Sequence, residues 1–277
     1  MVNYKSLFFD LDDTLWDTAA NSRSSLSEAF VYCNLSRFFP DFETFYRIYS
    51  VRNEQLWTEY AAGRIDKSLL NFERFAHPFR QVGQETGTPD GFQPLDPQGI
   101  LPADAAALAT GRPLLETFAK QFFLLIPTQK RTVPHAFSVL QALQERGYRL
   151  YILSNGFREL QHRKMKNSGL EGFFRKTVLS DDIALLKPDP RFFHYALSVT
   201  QSSPRESLMI GDNLCTDILG AFHAGIDQLY FNPRKLPIPT ENPPSTLAQA
   251  AALPRLPHGW RPTFEVHSLA EIPSLLP

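Results

Sequence analysis

Short apolar runs recur along the chain, and beyond residue 134 a helical pattern precedes or separates most of them. The runs are KSLFF at 5–9, RLYIL at 149–153, KTVLS at 176–180, SLMIG at 207–211 and DQLYF at 227–231, with a weaker sixth, TFEVH, at 263–267. Each is brief and bounded by polar or turn residues, the pattern of a strand buried in a sheet. HAFSVLQALQERG at 135–147 has apolar residues at helical spacing and stops at Gly147; FRELQHRKMKNSG at 157–169 is basic in its second half and ends on Gly169. A glycine suits the C-terminus of a helix. RFFHYALSVT at 191–200 and CTDILGAFHAG at 215–225 complete the alternation. Strands alternating with helices imply crossover connections, so the expected class is α/β, a parallel sheet with helices on both faces.

Residues 17–130 break that rhythm. SSLSEAFVYCNL, FETFYRIYSVRNEQLWTEYAAG, DKSLLNFERFA and DAAALATGRPLLETFAKQFFLL all read as helices, with no convincing strand among them. An all-helical block placed after the first strand suggests an insertion, leaving 1–16 and 131–277 to form the sheet domain. The Gly- and Pro-rich 84–99 reads as a long loop, and the proline-dense 232–259 as an irregular surface run.

The chain has 277 residues, enough for one large domain or two modest ones. Its 28 basic and 29 acidic residues leave a net charge of -1, which offers no polyanion-binding surface. Two cysteines, Cys33 and Cys215, are too few for a disulfide framework and fit a reducing compartment. The first apolar run breaks at Asp10, too early for a signal peptide. The apolar stretch FFLLIP at 122–127 is far too short to span a bilayer. The expectation is a cytoplasmic protein with neither a nucleic acid polymer nor a membrane as partner.

The first strand ends by crowding Asp10, Asp12 and Asp13 into four positions. Side chains alternate along a strand, so Asp10 and Asp12 share a face at its C-terminal end, where open α/β sheets bind ligands. Either these acids point into water, or a hard cation such as Mg²⁺ offsets their repulsion. In the second case one carboxylate can attack phosphorus and the other can shuttle protons. Asp13 points the other way, toward a cap or solvent.

Three more patterns sit at later strand ends. Ser154, Asn155 and Gly156 follow the second strand and open a helix, as a phosphate cradle or an ordinary turn would. Lys187 precedes Pro188 and Pro190, either as a surface residue or as a cation for a phosphoryl group. Asp212 follows an apolar strand and Gly211, and Asp217, five residues on, either caps a helix or joins the acids.

Taken in order, DLDDT, SNG, KPDP and GDNLCTD resemble the haloacid dehalogenase superfamily of aspartate-nucleophile phosphohydrolases. The resemblance implies a Rossmann-like core with Asp10 as nucleophile and Asp12 as general acid/base. Mg²⁺ would be bound by Asp10, the backbone carbonyl of Asp12 and Asp212. Ser154, Asn155, Gly156 and Lys187 would hold the phosphoryl group, with Thr14 and Asp217 in support. The helical block resembles the family's C1 cap, which closes over the site, excludes water and selects the substrate.

NEQLWTEYAAGRIDKSLLNFERF at 53–75, ILSNGFRELQHRKMKNSGL and LKPDPRFFHYAL resemble the bacterial nucleotidases that clear noncanonical pyrimidine nucleoside monophosphates. The chain departs from that subgroup in the longer loop near 81–113 and in the proline-rich 232–259 stretch. The resemblance implies a 5'-nucleotidase acting as monomer or homodimer on a small phosphomonoester. Trp57 or Phe72 would stack on the base and Arg74 would touch it, unless all three pack the cap. Alternatives are a sugar-phosphate or phosphoglycolate phosphatase, a phosphomutase, or a catalytically silent binding protein on the same scaffold. A dehalogenase would not need Asp12 and Thr14, and a silent scaffold would not keep Asp10, Asp12, Lys187 and Asp212 together.

Overall fold

The computed structural model describes residues 4–86, 105–238 and 258–276. Most of the expected loop at 84–99, and most of the proline-dense 232–259, lie outside the described residues. Two compact units make up the chain: Met1–Ala20 with Thr128–Pro277, and Asn21–Pro127.

The first unit is built on one sheet with strands β1 Ser6–Phe9, β2 Arg149–Ser154, β3 Lys176–Leu179, β4 Ser207–Gly211, β5 Asp227–Phe231 and β6 Phe264–Val266. Their order is β3-β2-β1-β4-β5-β6, and every neighbouring pair is parallel. All six apolar runs are therefore strands. The chain works outward from β1 through β2 to β3, then returns to place β4 on the other flank of β1. That reversal opens a crevice at the carboxyl ends of β1 and β4, the ligand-binding position of such sheets.

All four residues of β1 are buried, because helices cover both faces. On one face Phe8, Tyr151, Leu153, Val178 and Met209 pack with Phe192, Phe193, Ala196 and Ala221. By alternation Leu7 and Phe9 turn to the opposite face, where Phe9 meets the edge of Phe174.

In the second unit, helices α1 Thr18–Tyr32, α2 Phe42–Ala61, α3 Lys67–Thr86 and α4 Ala105–Leu125 follow one another, the first turn of α1 belonging to the sheet unit. Asp41 caps α2 by accepting from the Thr44 amide at 2.7 Å. The interior is aromatic: Phe45 touches Phe30, Phe39 and Phe118, and Phe75 touches Phe118 and Phe122. The sequence suggests that α3 stops at Ala76, before Pro78, yet it runs on to Thr86. Phe75, Phe79 and Val82 continue the buried stripe across the proline, and that packing outweighs the hydrogen bond a proline removes.

Returning to the sheet unit, helices α5 Ala136–Glu145, α6 Arg158–Ser168, α7 Ser180–Ile183 and α8 Pro190–Thr200 link the strands. The helix expected over 215–225 departs from regularity. Leu214–Leu219 winds as a wider π turn, and only α9 Gly220–His223 is α-helical. Asn213 caps that turn, its side-chain oxygen accepting from the amides of Cys215 and Thr216, both at 3.0 Å. Such turns recur where a functional side chain must be re-aimed. Among the described residues no helix is long and apolar enough to cross a membrane.

Candidate active site

β1, β2 and β4 lie side by side, so the residues just past their carboxyl ends meet. The Asp10 amide donates to the carbonyl of Ile210 at 2.9 Å, which carries the β1–β4 pairing one residue beyond the strand. Asp10 is thereby fixed beside Gly211 and Asp212.

Lys187 arrives from the segment between α7 and α8, with only 1 % of its surface exposed. Its ammonium donates to Asp10 Oδ1 at 2.6 Å, to the Leu153 carbonyl at 2.7 Å and to Asp217 Oδ1 at 2.7 Å. An ammonium has three hydrogens, so all are engaged. Burial alone would lower its pKa, but Asp10 and Asp217 reverse this and raise it, so Lys187 stays charged. Asn155 holds the backbone of Lys187 at both ends: its Nδ2 donates to the Lys187 carbonyl and its Oδ1 accepts from the Lys187 amide, both at 2.8 Å. The Asn155 side chain thus acts on Lys187.

Thr14 holds Asp212 in the same reciprocal way. Its hydroxyl donates to Asp212 Oδ1 and accepts from the Asp212 amide, both at 3.0 Å. On the π turn, Asp217 Oδ2 accepts from the Asn213 amide at 3.1 Å while Oδ1 takes Lys187. A Cβ at Gly211 would overlap the Asp217 carboxylate, so β4 has to end on glycine.

Asp10, Asp212 and Asp217 each bring a carboxylate oxygen within 4.8 Å of the other two. Burial, then repulsion from Asp10 and Asp217, pushes the Asp212 carboxyl well above its ordinary range. Burial also pushes Asp10 up, Lys187 opposing and Asp217 and Asp12 adding to it. Three clustered acids share one ammonium, which contacts two of them, so their charged forms repel one another. The donors are all hard oxygens, the set a divalent cation such as Mg²⁺ prefers.

Asp12 turns elsewhere. Its Oδ1 accepts from Lys164 at 2.7 Å and Thr18 at 2.9 Å, and its Oδ2 from Gln161 at 2.6 Å. Burial works to raise its pKa, but Lys164, Gln161 and Thr18 outweigh this and lower it. Ser154 is buried, its hydroxyl accepting from the Gly156 amide at 3.0 Å and from Gln161 at 2.7 Å. Asp13 is exposed and caps α1, accepting from the Ala19 amide at 3.2 Å. Lys164 and Gln161 belong to none of the four sequence motifs. The signal was there: Gln161, Lys164, Met165 and Ser168, the buried residues of α6, fall at helical stripe spacing, and three of them are polar.

The three candidate substrate residues of the helical unit behave differently. Arg74 is buried, its guanidinium 4.9, 5.0 and 5.3 Å from the ring centres of Phe75, Phe122 and Phe123. Trp57 meets the edge of Tyr60, and Phe72 is half-buried.

A parallel sheet with buried carboxylates and a lysine at its switch point defines an α/β enzyme with an acidic centre. The family model for haloacid dehalogenase-like hydrolases matches residues 4–225, and the chain belongs to that family. It is 29% identical over 270 residues to the pyrimidine 5'-nucleotidase PynA of Streptococcus pneumoniae, covering 97% of this chain and 93% of that one. Its identity to the pyrimidine 5'-nucleotidase YjjG of Escherichia coli is 26% over 271 residues, covering 98% and 96%. The magnesium-bound HAD-hydrolase YfnB of Bacillus subtilis superposes with a TM-score of 0.73 over 99% of each chain, at 24% identity, a likeness of fold.

Proposed function

We propose that this hydrolase cleaves pyrimidine nucleoside 5'-monophosphates through an aspartyl phosphate on Asp10. It is a phosphoric monoester hydrolase; the substrate class and the residue roles are the proposal. The observation that carries the roles is the meeting of Asp10, Lys187, Asp212 and Asp217 at one strand-end crevice, with Asp12 two residues from Asp10.

In the first step Asp12, protonated as the negatively charged phosphate enters and opposes Lys164, gives that proton to the departing ester oxygen while an Asp10 oxygen bonds to phosphorus. In the second, water bonds to phosphorus, the Asp10–phosphorus bond breaks, and Asp12 takes the water's proton. Lys187 fixes the rotation of the Asp10 carboxylate and opposes the upward pull of burial on its pKa. The Ser154 hydroxyl, whose oxygen accepts from Gly156 and Gln161, has its hydrogen to donate to a phosphoryl oxygen. Asp10, Asp212 and the backbone carbonyl of Asp12 would hold Mg²⁺, with Asp217 in support. When bound, the ion supplies positive charge for the phosphoryl oxygens and relieves the repulsion among the acids. The resemblance to two pyrimidine 5'-nucleotidases along nearly the whole chain supports the choice of substrate.

The test is phosphate release from nucleoside monophosphates, sugar phosphates and phosphoglycolate, with Mg²⁺ and with EDTA, for wild type and Asp10→Asn. The expected result is metal-dependent release favouring pyrimidine monophosphates, with the variant down at least about 10⁴-fold and still folded. Preference for a sugar phosphate would discard the nucleotidase assignment and keep the chemistry. Full activity in the variant would remove Asp10 from the mechanism.

A further inference from the structure

Helix α6 places Gln161 and Lys164 three residues apart, hence on one face, and buries both, with 0 % and 7 % of their surface exposed. A lysine and a glutamine are seldom buried without a polar partner. Here the shared partner is Asp12. Lys164 also lies 4.5 Å from the centre of the Trp16 ring, which confines the ammonium from another side.

The two oxygens of Asp12 are held unequally. Among the described residues Oδ1 accepts from both Lys164 and Thr18, whereas Oδ2 accepts from Gln161 alone. Each carboxylate oxygen offers about two acceptor positions, so Oδ1 is filled and Oδ2 keeps one lone pair. The Gln161 amide is oriented without ambiguity, since the reverse rotamer would set its carbonyl against a carboxylate. Its Nε2 donates to Ser154 Oγ as well, at 2.7 Å, which ties Asp12 to the loop after β2. That loop makes room for the amide, because a Cβ at Gly156 would overlap the Gln161 side chain.

We infer that Gln161 and Lys164 are positioning residues for Asp12, fixing its carboxylate so that protons are given and taken at Oδ2. The inference rests on the aspartyl-phosphate reading. In the first step the proton leaves Oδ2 for the ester oxygen as the P–O bond breaks; in the second it returns from water as the new P–O bond forms. A carboxylate free to rotate would still be present but would meet the leaving oxygen at the wrong angle.

Two esters separate this from a structural role. A nucleoside monophosphate expels an alkoxide that needs the proton, whereas 4-nitrophenyl phosphate expels a phenolate that departs without one. The quantity read is the ratio of kcat/KM for the two esters, which does not depend on how much of a variant is folded. In Gln161→Met and Lys164→Met the nucleotide is expected to lose at least about tenfold more than the nitrophenyl ester. Lys164→Arg, which keeps a cation donor, is expected to recover part of the ratio. An unchanged ratio in both methionine variants, with a wild type that is active and Asp10-dependent, overturns the inference alone. A wild type that hydrolyses neither ester with Mg²⁺ overturns the aspartyl-phosphate reading, and the inference with it.

Discussion

Each of the two units buries a cation, and the two are treated in opposite ways. Lys187, in the sheet unit, is surrounded by oxygen, two of its three acceptors being carboxylates. Arg74, in the helical unit, is surrounded by aromatic rings, and its Nε has no hydrogen-bond partner among the described residues. The titration shifts follow: carboxylates overcome burial and raise Lys187, while burial lowers Arg74. A cation locked to carboxylates orients them and works against the effect of burial on them. A cation held by ring faces gains only dispersion and quadrupole attraction, which suits packing. Burial alone therefore does not mark a functional charge; the partners do.

Removing each cation tests that contrast most severely. Lys187→Met leaves Asp10 and Asp217 buried without their counter-charge, so a loss of about 3–5 kcal/mol in urea unfolding is expected. Turnover should vanish with it. Arg74→Met strands no carboxylate, and its cost should not exceed about 2 kcal/mol. Equal costs would mean that Arg74 also has a counter-charge, and the contrast would fail.

Adding a cation is the next test. If repulsion among its acids sets the character of the acidic centre, Mg²⁺ at about 100 times its Kd should stabilise the protein by about 2.7 kcal/mol. EDTA should reverse the gain, and Asp212→Asn should abolish most of it, both seen as shifts in Tm. A full gain in Asp212→Asn would place the ion elsewhere.

The smallest effect concerns a buried nitrogen that should carry no charge at all. His223, on α9, has a buried Nε2 without a hydrogen-bond partner among the described residues, and burial lowers its pKa. The unfolded chain binds a proton there near pH 6.5 while the folded chain does not. Stability contributed by the neutral ring is thus present above that pH and lost as pH falls through it. His223→Gln should flatten this part of the Tm–pH profile slightly; an unchanged profile would show that the ring takes its proton without cost.

The strands and the strand-end acids were legible because both signals are local. A strand covered on both faces needs an unbroken apolar run, and Phe8–Phe9 or Met209–Ile210 can be little else. Asp10 and Asp212 announce themselves by following such runs directly. What stayed hidden depended on contacts distant in sequence. The polar stripe of α6 reads as solvated until Asp12, 149 residues from Gln161, supplies its partner. The continuation of α3 through Pro78 depended on the aromatic interior of its own unit. The π turn at Leu214–Leu219 had no signature beyond an ordinary helical pattern.

The central position of β1 also bears on how the chain is made. Ser6 pairs with Arg149 on one side and Ser207 on the other, so neither neighbour exists when β1 leaves the ribosome. At typical synthesis speeds its first partner emerges roughly 7 to 30 s later. Throughout that interval SLFF is an apolar segment with two unpaired edges, the kind of species chaperones shield. The helical unit, encoded between β1 and β2, has that time to assemble from nearby residues. The price of a nucleophile at the middle of the sheet is an apolar strand that is made before either of its partners.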